Sequence, residues 1–312
     1  MPELPEVETV RSQLEPGVTG RRIVEARILD PRWCEPESAE LIEAALEGAA
    51  IKAVRRRGKY LIMELDGERA LVMHLRMTGN FILRPPGSNL DANLGEVDRL
   101  GMPRLYESVP DTKYLRFWFE LDDGGRVLFT DPRRFGTGVL LEGAAIDEHL
   151  RARVGIEPLT DELTAEAIGR LAAGRTAPLK SFLLVQGGIA GIGNIYADEA
   201  LWLARLHPLS PAGSMRPEHH EAVRAGIVAA LEAGLANGGA SIDDYRDARG
   251  ERGTMQDEFA VHTREGLGCP REDGGEIRRI VVGGRSTYFC PVCQKRLRKR
   301  PRRRPVARRQ ST

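Results

Sequence analysis

The first ten residues, MPELPEVETV, hold a candidate nucleophile. A small second residue favours removal of Met1, and the product begins with the free secondary amine of Pro2. A terminal amine titrates near pH 8, against roughly 10.4 for lysine, so part of it is neutral and reactive at physiological pH. Attack of such an amine on the anomeric carbon of a deoxyribose expels the base and leaves an iminium, which acidifies the neighbouring sugar hydrogens and permits elimination. That chemistry needs proton carriers. Glu3 and Glu6 stand three residues apart on one helical turn and can both face the amine. The same residues also make an ordinary helix start, with proline early and acids in the first turn.

Further along, RRRGKYL places Lys59 at the start of a strand, where a cation can meet a phosphate; a strand-edge lysine is also a common solubility device. Met77 in HLRMTG follows a strand, and Arg133 and Phe135 lie in the turn DPRRFG. An apolar wedge and a planar cation are what the gap left by an extruded base requires. QGGIAGIGNIYADEAL sets Gly187, Gly188, Gly191 and Gly193 ahead of Asn194 and a helical run. Close backbone approach and helix-start amides there predict a phosphate site. Cys290-Pro-Val-Cys293 is half of a four-ligand zinc hairpin. The other half, CPRED, offers Cys269 and then Glu272 or Asp273 in place of a second cysteine. Zinc accepts carboxylate oxygen, but three thiolates and one carboxylate should bind more weakly than four thiolates.

The elements that must position these residues read as two domains. Residues 3–14 have helical spacing, and short apolar runs separated by Gly and Asp then extend to about Leu141, which is β-sandwich patterning. Strands are predicted at 23–29, 50–57, 59–65, 70–77, 114–121 and 126–130, with a polar, Pro-containing surface loop at about 84–112. From Asp147 the periodicity is helical, in TAEAIGRLAAG, PLKSFLLVQGG, IYADEALWLARL and the run from Pro217 to Gly239. The stretch 241–259 reads as a polar, Gly-broken, mobile loop, and 263–294 as a Gly- and Cys-containing hairpin. The fold class is α+β: an N-terminal β-sandwich flanked by helices at 1–146, a helical domain at 147–262, the hairpin at 263–294 and a basic disordered tail at 295–312.

Composition sets the setting. A chain of 312 residues can bury two cores. No run of about 18 apolar residues suggests a membrane span, and no signal-peptide pattern opens the chain, so a cytoplasmic location is expected. Four cysteines are too few and too clustered for a disulfide scaffold. Net charge is +1, but residues 295–312 hold ten Lys or Arg and no acid, leaving 36 basic against 45 acidic residues in the body. Nucleic acid must then be met by a locally basic face, with the tail as a nonspecific phosphate-binding arm.

The PELPEVE start, HLRMTG, DPRRFG, IGNIYADE and GGRSTYFC, in this order, resemble the formamidopyrimidine-DNA glycosylase family, and Leu4 fits that branch better than the glycine of its endonuclease VIII relatives. The resemblance extends through Gln294 and implies a two-domain clamp with a helix-two-turn-helix and a zinc-finger-like hairpin. It implies a bifunctional DNA-repair glycosidase and lyase that excises oxidised purines through a Schiff base on Pro2 and cleaves by β,δ-elimination. Glu3 would be the acid/base residue, Glu6 a further carboxylate of the site and Lys59 the phosphate partner beside the reacting nucleotide. Met77, Arg133 and Phe135 would enter the vacated space, while Asn194 and Arg285 grip phosphates. Glu199 would be a helix carboxylate near the site with Lys180 linked to it. Cys269, Asp273, Cys290 and Cys293 would hold one zinc ion per monomer, Asp273 keeping the family's sixteen-residue spacing to Cys290. The implied partner is double-stranded DNA with oxidised bases or abasic sites, bound by a monomer in the nucleoid. The length of 241–259 resembles the segment that closes over extruded 8-oxoguanine, although Thr254 and Met255 stand at its tip. Arg76 stands where glycine is frequent, and Val185 where aspartate is. Two rival readings are an endonuclease VIII-like glycosylase of oxidised pyrimidines and a non-catalytic lesion-binding protein.

Overall fold

Leu4, Val7, Val10, Leu14 and Val18 recur every three or four residues, so one stripe of helix α1 (Leu4–Val18) is buried along its length. Val18 fills the sandwich core, which carries the helix past the expected end at residue 14. The computed structural model describes residues 1–87, 114–242 and 245–298. Most of the expected 84–112 loop and residues 299–312 of the expected tail lie outside the described residues.

Two four-stranded antiparallel sheets follow. One has the order β1 (Ile23–Ile28), β6 (Leu115–Leu121), β7 (Arg126–Thr130), β5 (Asn80–Arg84). The other runs β2 (Ile51–Arg57), β3 (Tyr60–Leu65), β4 (Arg69–His74), β8 (Thr137–Glu142). Period-two alternation sets the register: in β6 Phe117, Phe119 and Leu121 point inward, while Trp118 points out under Arg126. Phe81, Phe117, Phe119, Phe129 and Trp33 meet Val54, Leu61, Met63 and Met73 in one core between the sheets. Strands β5 and β8 and helix α2 (Ala39–Leu46) were not expected from the sequence. The expected strand 70–77 stops at His74, because Arg76 takes a left-handed φ of 56° and turns the chain.

Helices α3 (Ala144–Arg151), α4 (Ala165–Ala172), α5 (Leu179–Leu183), α6 (Asn194–Leu203) and α7 (Pro217–Ala236) complete the second part. Ile146 and Leu150 of α3 pack against the cluster of Ile62, Ala70 and Val72 on the second sheet, so α3 spans the boundary expected at 146. The strands β9 (Arg278–Val282) and β10 (Arg285–Phe289) form a hairpin turned by Gly283 and Gly284, both at positive φ as the tight two-residue turn demands. Residues 295–298 are not a free tail: Lys295 pairs with Leu206, and the Leu297 amide donates to Ser210 Oγ.

Two contacts weld the halves. Leu4, on α1, is fully buried in the helical core rather than the sandwich core. The carboxylate of Glu157 accepts the Gly58 amide at 2.9 Å and pairs with Arg56, which also bonds Glu8. Leu4→Ala should therefore lose about 2–5 kcal/mol of stability. Urea unfolding of purified protein checks this, and a loss under 1 kcal/mol would show that Leu4 does not join the two parts.

Candidate active site

Glu6 begins as the helix-start reading would have it, its Oε2 accepting the Glu3 amide at 2.8 Å. Glu3 does not. Its carboxylate leaves its own helix and accepts the amides of Gly193 at 2.7 Å and Ile195 at 2.9 Å, at the start of α6. A side chain at Gly193 would collide with it, a Cβ there falling 2.3 Å from the Glu3 carboxyl carbon. The helix start predicted to hold a phosphate thus holds an internal carboxylate, for the same reason: exposed amides and the positive end of the helix dipole. Leu4 seals this contact, its amide donating to Gly191 O at 3.0 Å. Pro2 is buried.

Glu6 is fully enclosed. Its Oε1 accepts Tyr196 Oη at 2.8 Å and the Ala240 amide at 2.7 Å. Burial, and then the charge of Glu3, push its carboxyl above the usual carboxylate range. Lys59 is buried as well, with Nζ donating to Ile192 O at 3.0 Å. Burial drives its ammonium below the usual lysine range, while Glu3 and Glu6 pull the other way. Glu3, Glu6 and Lys59 are therefore brought together from the start of α1 and the β2–β3 turn against the mouth of α6, with Pro2 directly preceding Glu3.

Asn194 is the first residue of α6, and its buried side-chain oxygen has no hydrogen-bond partner among the described residues. Met77 and Phe135 are 40% and 49% exposed, and the Arg133 guanidinium lies 5.0 Å over the Phe135 ring. The Asp131 carboxylate, 1% exposed, accepts the Phe135 and Gly136 amides at 2.8 and 2.7 Å and the Thr78 hydroxyl. Arg285 is exposed at the start of β10.

Lys180 and Glu199 stand elsewhere than expected. Lys180 is fully buried and bonds Asp198 at 2.7 Å and Ser286 O at 2.8 Å, so it is linked to the neighbour of Glu199 and not to Glu199. Glu199 accepts the amides of Ala260, Val261 and His262. Both side chains are buried and bonded within the protein. Asp198 also bonds His262 Nδ1 at 2.9 Å. Asp131, Asp198 and Tyr196 are the residues that sequence reasoning missed.

Residues 245–259 of the segment expected to be mobile are anchored. Tyr245, Arg246, Asp247 and Ala248 are buried. Gln13 of α1 accepts the Ala248 amide at 2.8 Å and donates to Asp247 at 2.7 Å, and the Ala248 carbonyl accepts the Leu83 amide at 2.8 Å on edge strand β5. Polar residues there are spent on docking.

The donor atoms of Cys269, Asp273, Cys290 and Cys293 all lie within 4.8 Å of one another. Zn–S bonds near 2.3 Å and Zn–O bonds near 2.1 Å fit that spacing. Asp273 is the carboxylate brought in, because Glu272 takes a left-handed φ of 53° and is exposed. Arg271 supports the cluster, donating to Cys293 Sγ at 3.1 Å and stacking on Trp202.

Residues 1–138 match the formamidopyrimidine-DNA glycosylase N-terminal domain, 154–246 the formamidopyrimidine-DNA glycosylase H2TH domain, and 274–296 the zinc finger found in FPG and IleRS. The chain is 41% identical over 295 residues to the formamidopyrimidine-DNA glycosylase of Chloroflexus aurantiacus, covering 94% of this chain and 98% of that protein. It is also similar to two solved complexes, each at 33% identity and covering all of the solved chain. One is a Lactococcus lactis FPG variant with Fapy-dG containing DNA, TM-score 0.81 over 95% of this chain. The other is Lactococcus lactis Fpg with abasic-site containing DNA, TM-score 0.80 over 94%.

Two outcomes follow from this geometry. Burial, with Arg76 and Lys59 nearby, pushes His74 down to about 3, and its Nδ1 accepts the Arg76 amide that shapes the Met77 turn. The unfolded chain takes up that proton near pH 6.5 and the folded one only near 3, so stability falls as pH drops through this window. The loss should be about 2–3 kcal/mol by pH 4.5, and His74→Gln should flatten it; urea midpoints at the two pH values decide. For the metal, Asp273→Cys should slow zinc loss to a chelator and Asp273→Ala speed it, since thiolate outranks carboxylate. Equal release from all three proteins would remove Asp273 from the ligand set.

Proposed function

The chain belongs to the formamidopyrimidine-DNA glycosylase family, and on that premise we propose which of its residues carry the reaction. It is a DNA glycosylase of oxidised-base repair, its partner is damaged DNA, and its zinc-finger hairpin carries a zinc site. The proposed substrates are oxidised purines, 8-oxoguanine and formamidopyrimidines, opposite cytosine. Zinc would be held by Cys269, Asp273, Cys290 and Cys293 and would supply structural cross-linking of the hairpin, with no part in the chemistry.

After loss of Met1, the Pro2 nitrogen attacks C1′ of the damaged nucleotide as the glycosidic bond breaks. The base departs with a proton, the Pro2 nitrogen gives up its own, and the C1′–O4′ bond opens with a proton to O4′, so that an iminium joins the open sugar to the chain. Glu3 moves the protons. The fixed amides at α6 hold its carboxylate beside Pro2 without using all of its lone pairs. Glu6 keeps the backbone of residue 3 in place. Loss of a C2′ proton then releases the 3′ phosphate, and a second elimination releases the 5′ phosphate. Lys59 and Arg285 would face phosphates; a phosphate near Lys59 favours its charged form and so opposes the effect of burial. Met77, Arg133 and Phe135 would occupy the gap left by the base. The observation that carries this reading is the carboxylate of Glu3, the residue after Pro2, drawn out of its own helix onto the amides that open α6.

No helix among the described residues is long and apolar enough to cross a membrane. A cytoplasmic, nucleoid-associated monomer, with domains divided near residues 146, 262 and 294, remains part of the proposal.

Borohydride should trap the wild-type protein, with Met1 shown by mass spectrometry to be absent, on abasic DNA. Pro2→Gly should trap far less. Glu3→Gln should lower base excision by about 10²–10⁴-fold while affecting cleavage of a preformed abasic site less. No trapping by mature wild type would sink the enzyme reading, and faster excision of thymine glycol than of 8-oxoguanine would move the substrate to oxidised pyrimidines.

A further inference from the structure

Three exposed side chains, Met77, Arg133 and Phe135, sit on two separate irregular segments that no sheet hydrogen bond joins directly at those residues. What joins them is one buried carboxylate. Asp131 Oδ2 accepts the Phe135 amide at 2.8 Å and the Gly136 amide at 2.7 Å. Its Oδ1 accepts the Thr78 hydroxyl and, at 3.2 Å, the Arg133 amide. Thr78 Oγ1 in turn accepts the same Arg133 amide at 3.2 Å. The backbone of Asp131 is fixed as well, through Tyr114 O at 2.8 Å and Arg116 Nε at 3.0 Å. Both turns are conformationally costly, with Arg76 and Arg134 at φ of 56° and 59°. A non-glycine residue holds that conformation only where its surroundings fix it.

We infer that Asp131 and Thr78 are positioning residues that lock the Met77 turn to the Arg133–Phe135 loop as one rigid wedge, and that this lock sets discrimination of the base opposite the lesion. The inference rests on the proposal that these three side chains fill the vacated space. Given that role, Arg133 can read the unpaired partner base only if its guanidinium is fixed relative to Met77. Its stacking on Phe135 fixes one end of the loop, and the Asp131–Thr78 bond fixes that loop to the other turn. A charged acceptor bound by several amides is a strong orienting contact.

Asp131→Asn replaces one acceptor oxygen by an amide group that faces donors already in place. Single-turnover excision of 8-oxoguanine should fall about tenfold opposite cytosine and less opposite adenine, so that the cytosine-to-adenine ratio narrows several-fold. Cleavage of a preformed abasic site in single-stranded DNA should stay within about twofold, since nothing need be extruded there. Thr78→Val should narrow the ratio in the same direction, and Thr78→Ser should restore it. A merely structural role would lower both excision rates and abasic cleavage together. If Asp131→Asn fails to fold, Thr78→Val and Thr78→Ser carry the test alone. An unchanged ratio in folded Asp131→Asn or Thr78→Val overturns the inference. Arg133→Ala and Phe135→Ala, measured in parallel, separate the two levels. If they too leave rate and ratio unchanged, the wedge reading itself fails; if only they act, the lock fails.

Discussion

A carboxylate on the first helix is bound by backbone amides 190 residues further along the chain, and this contact fixes the relation between the two halves of the molecule. It is short, charged and buried, so it tolerates little displacement. Leu4 lies beside it with its side chain in the helical core and its amide on Gly191 O. Pro2 directly precedes these two residues and is itself buried. The proposed nucleophile is thus carried on a segment clamped between two cores.

The electrostatics follow from that burial. Glu3 and Glu6 share a low-dielectric space, and the charge of Glu3 makes one on Glu6 more costly. Lys59 is the nearby cation, and burial weakens its hold on a proton just as it strengthens that of Glu6. Tyr196 is pushed well above the usual phenol range, chiefly by burial, which keeps it a donor to Glu6. Acids that release protons reluctantly and a base that yields one easily form a site in which small changes of nearby charge redistribute protons. An arriving phosphate is such a change.

How much of this the sequence shows depends on whether the signal is periodic or pairwise. The alternation LRFWFEL and the α1 stripe announce their buried faces. Strands β5 and β8 escape because NFILR is short and TGVLLE carries a glycine, and their strand state depends on pairing with β7 and β4. The same distinction separates the site residues. Glycines ahead of a helix reveal an anion site but not which anion, and Glu3 takes it. Nothing in YADEAL tells which of two adjacent acids faces Lys180; packing against β10 selects Asp198. Between Glu272 and Asp273 the choice is made by a left-handed turn that no local preference fixes. The 241–259 segment reads as mobile because its polar residues give no sign of Gln13 and Leu83, which bind it.

A body with 36 basic and 45 acidic residues must still bind a polyanion, and the placement of its acids resolves the conflict. Glu3 and Glu6 hold the start of α6 and the Ala240 amide, Glu157 holds the turn that bears Lys59, Asp131 holds the wedge, and Glu199 holds residues 260–262. Each is buried, and each accepts backbone amides that irregular segments would otherwise leave unpaired. Their negative charge is spent inside the protein, where it substitutes for regular hydrogen bonding. Arg133, by contrast, is exposed on the loop that Asp131 fixes. The same carboxylates that shape the loops are thereby withdrawn from the surface the loops present.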